Sequence, residues 1–84
     1  MFFMYCVYIL YSDVIASYYV GSTGNLEGRL SRHNSGYSIY TKRGVPWKLV
    51  TSLTFKTRSE AVRLEKKIKK RGIERYLNDI DFGV

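Results

Sequence analysis

The sequence predicts an α+β fold in which a small sheet is joined to helices. Three observations predict it. Two runs rich in β-branched and aromatic residues, 5–11 and 18–22, are linked too closely for anything but an antiparallel pair. A third run, 47–56, alternates at the period of two that a half-buried strand requires. Two further segments, 25–34 and 57–71, open on N-capping residues and carry apolar residues at helical spacing. With 84 residues the chain fits one domain, 1–84, and no repeat, linker or low-complexity run divides it.

In strand 5–11, alternation puts Cys6, Tyr8 and Leu10 on one face and Val7, Ile9 and Tyr11 on the other. Both faces are apolar, so this strand is expected at the centre of the sheet or covered on both sides. The apolar start, 1–11, lacks the basic segment and cleavage site of a signal sequence and is about half a membrane span, so a buried strand explains it. Residues 12–17 form the turn. In strand 18–22, Tyr19 and Gly21 share a face, and Gly21 leaves room for a phosphate or for a neighbouring side chain.

Thr23-Gly24-Asn25 breaks that strand. Asn25 caps a helix running to about residue 34, and Gly36 stops it. Leu26 and Leu30 form its buried stripe, with Arg29 and His33 one turn apart beside it. Gly28 costs about 1 kcal/mol relative to alanine inside a helix, and close packing is its only evident purpose. Residues 37–46 read as a mobile loop whose Lys42 and Arg43 suit a phosphate backbone. In strand 47–56, Trp47, Leu49, Thr51, Leu53 and Phe55 make the buried face, and Lys48, Val50, Ser52, Thr54 and Lys56 the wetter one. Thr57-Arg58-Ser59-Glu60 is a capping box. The helix it opens has Ala61, Leu64 and Ile68 as its apolar face and Gly72 as its stop. A last short helix, 73–80, is expected to turn Tyr76, Leu77 and Ile80 inward.

The net charge is +7, and its distribution says more than its total. Residues 1–24 contain no Lys or Arg, whereas 49–76 carry nine basic residues against three glutamates. A neutral aromatic β segment followed by basic helices favours a polyanion, with nucleic acid ahead of a membrane surface. One cysteine and one histidine exclude an internal disulfide and a zinc cluster, and the lone thiol fits a reducing, cytoplasmic compartment.

The side chains with chemistry to offer are Tyr8, Tyr19, Arg29, His33 and Glu65. Each has a plain alternative: strand tyrosines usually pack, a helix arginine usually solvates, and a lone histidine is usually structural. Glu65 follows Ala61 by four and precedes Ile68 by three, on the packing side of a cationic helix. A carboxylate there needs either an ion pair with a helix arginine or a metal. Together the five suit phosphodiester hydrolysis, which needs a group to deprotonate water, a cation for the developing charge and a metal to position the phosphate. One carboxylate with several waters is how Mg2+ is usually held, so the set implies a single ion.

The order Val7-Tyr8, then Tyr19-Val20-Gly21-Ser22, then Arg29, His33 and a helical Glu65 resembles the GIY-YIG nuclease family, in its small stand-alone bacterial branch. The likeness covers nearly the whole chain, including 42–50 and the helix from Arg58 through Lys69. It implies a three-stranded, mainly antiparallel sheet flanked by helices. It also implies cleavage of a nucleic-acid strand with Mg2+ or Mn2+, with DNA preferred over RNA and a role in DNA repair or processing. One of Tyr8 and Tyr19 would be the general base, Arg29 would stabilise the scissile phosphate, and Glu65 would bind the metal. Lys42, Arg43, Lys66, Lys69 and Lys70 would meet the nucleic acid, and a protein partner would supply targeting. The chain departs from the family signature at Cys6, which stands in place of its first glycine. Asn78, thirteen after Glu65, stands where some members place a late polar residue. The competing readings are a basic nucleic-acid-binding module with weak or no catalysis, and an adaptor that uses the basic helix as a protein interface.

Overall fold

A computed structural model of the chain describes residues 4–82. The first three residues of the apolar run 1–11 lie outside the described residues. Three strands, β1 (Tyr5–Ser12), β2 (Ser17–Thr23) and β3 (Trp47–Phe55), form a sheet in the order β2-β1-β3, antiparallel throughout. The central place of β1 follows from its two apolar faces, since only a strand covered on both sides loses nothing by lacking a polar face. Of the three helices, α1 (Leu26–Asn34) lies between β2 and β3, and α2 (Arg58–Arg71) and α3 (Ile73–Phe82) follow β3. None of the described helices is long and apolar enough to cross a membrane.

The helices divide between the two faces of the sheet. Cys6, Tyr8, Leu10 and Trp47 form one buried cluster, against which α1 lays Leu26 and Leu30. Val7, Ile9 and Val20 form the other, closed by Ala61 and Ile68 of α2, with Leu64, Ile73, Tyr76 and Leu77 packed around it. Burying each such large apolar side chain is worth roughly 1.5–3 kcal/mol, so both layers matter to stability. The expected third inward residue of α3, Ile80, instead remains 42% exposed.

Strand β3 departs from its sequence pattern. Ile9 pairs with Thr51 but Leu10 pairs with Leu49, so Val50 is an extra residue, a bulge. The bulge reverses the phase of the strand. Trp47 and Leu49 share the Tyr8 face, whereas Thr51, Leu53 and Phe55 share the Val7 face. The single buried face expected for 47–56 is therefore split, and Leu49 and Leu53 are each 44% exposed because this strand lies at the sheet's edge. Asn34 at the end of α1 steadies that edge. Its side-chain amide donates to the Trp47 carbonyl at 3.0 Å and accepts from the Trp47 N–H at 2.6 Å.

Gly28 acquires a cause. The Asn25 side chain accepts from the Gly28 N–H at 3.1 Å, and a Cβ on Gly28 would lie 2.5 Å from the Asn25 amide nitrogen. The cap occupies the space that any larger residue would need. The loop 37–46, expected to be a mobile basic element, is instead anchored at its base. Lys42–Gly44 form a short 3-10 turn, Thr41 is buried, and the Trp47 indole N–H donates to the Thr41 carbonyl at 2.7 Å.

Candidate active site

The hairpin register places the two tyrosines together. Tyr8 pairs with Gly21 and Leu10 with Tyr19, so Tyr8 and Tyr19 are diagonal neighbours on one face. Their ring centroids are 6.3 Å apart. Gly21 makes this possible: a Cβ there would sit 2.5 Å from the Tyr8 hydroxyl oxygen and 2.7 Å from the ring carbon that bears it. The space beside Gly21 is thus filled by a neighbouring side chain. The Tyr8 phenol thus lies over Gly21 of β2, an outer strand of the sheet.

Helix α1 supplies His33 over the same face. Its ring lies 4.8 Å from Tyr19 and 6.0 Å from Tyr8, centroid to centroid. The Tyr8 hydroxyl is 3.1 Å from His33 Nε2, and His33 Nδ1 is 2.9 Å from Thr41 Oγ1. All three residues are buried. Burial pushes the His33 pKa below its ordinary value, and the charges of Arg29 and Arg32 push it the same way, so the ring is neutral at pH 7. Burial drives the Tyr8 pKa well above that of a free phenol. Neighbouring Tyr19 adds to the rise, and Arg29 offsets it only in part. A phenol is a better donor than an aliphatic alcohol, so we assign the tautomer in which Tyr8 O–H donates to Nε2 and Nδ1–H donates to Thr41. Tyr8, His33 and Thr41 then form one buried hydrogen-bonded chain.

Tyr19 is placed differently. It lines an open cleft of about 410 Å³ together with Arg29, Arg32 and His33. Of the two phenols it is the one that meets solvent. Arg29, one helical turn before His33, brings a positive charge to the same cleft.

Glu65 comes from the opposite layer. Helix α2 covers the Val7 face, and Glu65 accepts from the Ser22 hydroxyl at 2.6 Å, one residue beyond Gly21 on β2. Its charge nevertheless acts on Tyr8, adding to the rise in the pKa of that phenol. Burial alone would raise the Glu65 pKa; hydrogen bonds from Lys69 and Ser22 outweigh it and hold the carboxyl below its usual range. The ion pair expected for this residue is made with Lys69, at 2.8 Å and one turn on, and not with an arginine. Among the described residues no three His, Cys, Asp or Glu side chains gather as a metal site. An ionised carboxylate, 18% exposed and oriented by Ser22, fits the role of one protein ligand to a hydrated divalent ion, with Lys69 as the competing cation.

Four of the five candidate side chains therefore meet over one face, and Glu65 is held to Ser22 of β2 from the other. Lys42 and Arg43 are exposed on the 3-10 turn beside Thr41, and Lys66 and Lys70 are exposed on α2, where Lys69 is taken up by Glu65. Asn78 does not join them. It lies in a separate cleft with Tyr18, Thr51 and Glu74, on the Val7 side of the sheet. Sequence reasoning missed Thr41, Ser22 and Asn34. Thr41 and Asn34 act through contacts with no sequence periodicity, whereas the signal that could have found Ser22 is its place beside Gly21.

Comparison with known proteins identifies the chain's relatives. The family model described as the GIY-YIG catalytic domain matches residues 4–76. A UPF0213 protein of Bacillus licheniformis is 39% identical over 67 residues, covering 75% of this chain and 69% of that protein. The structure-specific endonuclease subunit SLX1 of Chaetomium globosum is 42% identical over 69 residues, 74% of this chain but only 21% of that protein. The solution NMR structure of a UPF0213 protein from Bacillus halodurans superposes with a TM-score of 0.59 at 29% identity, covering 94% of this chain and 84% of that one. With the family model matched from the first described residue into the first turn of α3, the chain belongs to the GIY-YIG catalytic domain family.

Proposed function

We propose that the protein is a divalent-metal-dependent endonuclease that hydrolyses phosphodiester bonds in nucleic acid, with DNA as the preferred substrate. The observation that carries this reading is the contrast between the two phenols. Tyr8 is buried, its pKa is driven up, and its proton is committed to a neutral His33. Tyr19 stands on the wall of an open cleft beside Arg29. Paired groups whose surroundings differ this much take different roles.

Tyr19 is the base in this scheme. Having first given its own proton to solvent, the Tyr19 phenolate takes a proton from water, whose oxygen attacks phosphorus as the bond to the leaving sugar oxygen breaks, and solvent protonates that oxygen. Arg29 stabilises the charge that builds on the phosphate, a contribution of about 10²–10³ in rate for one well-aimed donor. Tyr8, His33 and Thr41 position the wall behind Tyr19. Glu65 would hold Mg2+ or Mn2+, which supplies charge neutralisation at the phosphate and the leaving oxygen. The relative from Chaetomium is named as a subunit, and this chain spans about a fifth of its length. Targeting by a protein partner suits so small a catalytic unit.

The test is cleavage of labelled single-stranded, flapped and branched DNA, and of RNA, with either ion. Strand scission that stops with EDTA, and is lost in Arg29→Ala and Glu65→Ala proteins with parental circular dichroism, is the expected result. No scission on any substrate would refute the reading. A second reading, a binding module without turnover, draws on the engagement of Glu65 by Lys69 and Ser22. It requires salt-sensitive binding that survives Glu65→Ala with no cleavage by the parent.

A further inference from the structure

The loop that lines the cleft carries exposed apolar side chains. Tyr37, Ile39 and Tyr40 are 77%, 82% and 92% exposed, the most exposed large apolar side chains among the described residues. They are neighbours in the chain, and all three line the same cleft as Tyr19, Arg29 and His33. Exposed aromatic surface gathered at one place marks a contact site. The loop holds it out on purpose. The Lys42 and Thr41 N–H groups both donate to the Ser38 carbonyl, at 3.0 and 3.3 Å, which closes a turn with Ile39 and Tyr40 at its tip. The turn is fastened to the buried chain through Thr41, whose hydroxyl meets His33 and whose carbonyl receives the Trp47 indole.

The charge around this surface identifies what it meets. Segment 37–46 contains no acidic residue. Arg32 lies over the Tyr37 ring at 5.5 Å, Arg29 and Arg32 line the cleft, and Lys42 and Arg43 follow the tip. Aromatic faces interleaved with arginine and lysine are the usual means of holding single-stranded nucleic acid, because each base offers a π-face and each phosphate a charge. In a duplex those π-faces are covered by neighbouring bases, so rings such as Tyr37 and Tyr40 have nothing to stack on.

We propose that Tyr37 and Tyr40 form a base-stacking subsite for an unpaired nucleotide adjoining the scissile phosphate, which makes a nucleic acid with a single-stranded segment the substrate class. The inference rests on the nuclease reading. The loop reads strandedness, and the anchoring of Thr41 to His33 ties a stacked base to the catalytic wall.

Binding of the 84-residue chain is measured in EDTA by fluorescence anisotropy on two DNA probes. One is a fully paired hairpin. The other is the same hairpin with a single-stranded flap carrying 2-aminopurine. The parent is expected to bind the flap more tightly than the hairpin and to change the 2-aminopurine emission. Y37A/Y40A should lose about 5- to 150-fold in flap affinity for each base it stacks, while hairpin affinity stays within about 2-fold. Y37F/Y40F should restore the preference, since the ring and not the hydroxyl stacks. Equal affinity of the parent for both probes overturns the subsite, as does an equal loss on both probes in Y37A/Y40A. So does a parental dimer that Y37A/Y40A makes monomeric without changing either affinity. If the parent cuts DNA with Mg2+ yet prefers neither probe, the subsite fails and the nuclease reading stands. If it neither binds nor cuts, both fail.

Discussion

Replacing Gly21 by alanine should destabilise the protein, and the sign of the effect is diagnostic. Gly21 sits within β2 with no positive φ, so its backbone conformation is open to any residue. At such a position Gly→Ala ordinarily stabilises by about 0.4–1 kcal/mol, by reducing the freedom of the unfolded chain. Here the new methyl carbon would lie 2.5 Å from the Tyr8 hydroxyl oxygen and 2.7 Å from its ring carbon. Tyr8 is 1% exposed and held at 3.1 Å by His33, so the ring has nowhere to retreat. Overpacking of a full core costs about 1–3 kcal/mol, and a displaced phenol forfeits its hydrogen bond, about 1 kcal/mol more. A net loss of roughly 1–3.5 kcal/mol is expected in urea unfolding at pH 7.5, together with reduced cleavage as the Tyr8–His33 contact is disturbed. A Gly21→Ala protein as stable as the parent, or more stable, would refute the close approach of Tyr8 and with it the reason for glycine here.

Other perturbations test neighbouring parts. Gly28→Ala should be nearly neutral in thermal unfolding, because about 1 kcal/mol of helix propensity is gained while an N-cap of about the same worth is displaced; with the cap already removed by Asn25→Ala, the same change should stabilise by about 1 kcal/mol. Thr41→Val keeps the shape but leaves His33 Nδ1 without its partner, and should cost about 1–3 kcal/mol; a loss below about 0.5 kcal/mol would mean that bond is not made. His33 has a folded-state pKa below its unfolded value of about 6.5, so its contribution is complete above that pH. As pH falls below 6.5 the unfolded chain takes up a proton that the folded chain refuses, and stability declines; His33→Gln should flatten the stability profile between pH 6.5 and 5, and an unchanged slope would contradict the buried neutral ring.

Much of the fold was legible because it depends on local patterns. The two apolar faces of β1 foretold its central position, and the capping box at Thr57 foretold where α2 begins. The bulge at Val50 was not legible. A run of strict alternation looks the same whether or not one residue is later squeezed out by pairing, and only the register with β1 shows it. The site divides in the same way. Arg29 and His33 at helical spacing, and Tyr8 and Tyr19 across a short turn, are brought together by geometry close to the chain itself. Thr41 reaches His33 through the fold of a loop, and Glu65 meets Ser22 through the packing of α2 on the sheet, so neither contact leaves a periodic trace. Gly21 lies between these cases: its need for space was visible, and only the structure shows that Tyr8 fills it.

The division of labour between the two phenols is decided by single-turnover cleavage of one flapped DNA by Tyr19→Phe and Tyr8→Phe proteins, side by side with the parent. Loss of a general base is expected to slow Tyr19→Phe by about 10²–10⁴ with its stability intact. Tyr8→Phe should lose about 1 kcal/mol of stability with a smaller loss of rate, as befits a residue that positions His33. A dead Tyr8→Phe protein beside a Tyr19→Phe protein that cuts at the parental rate would contradict the assignment.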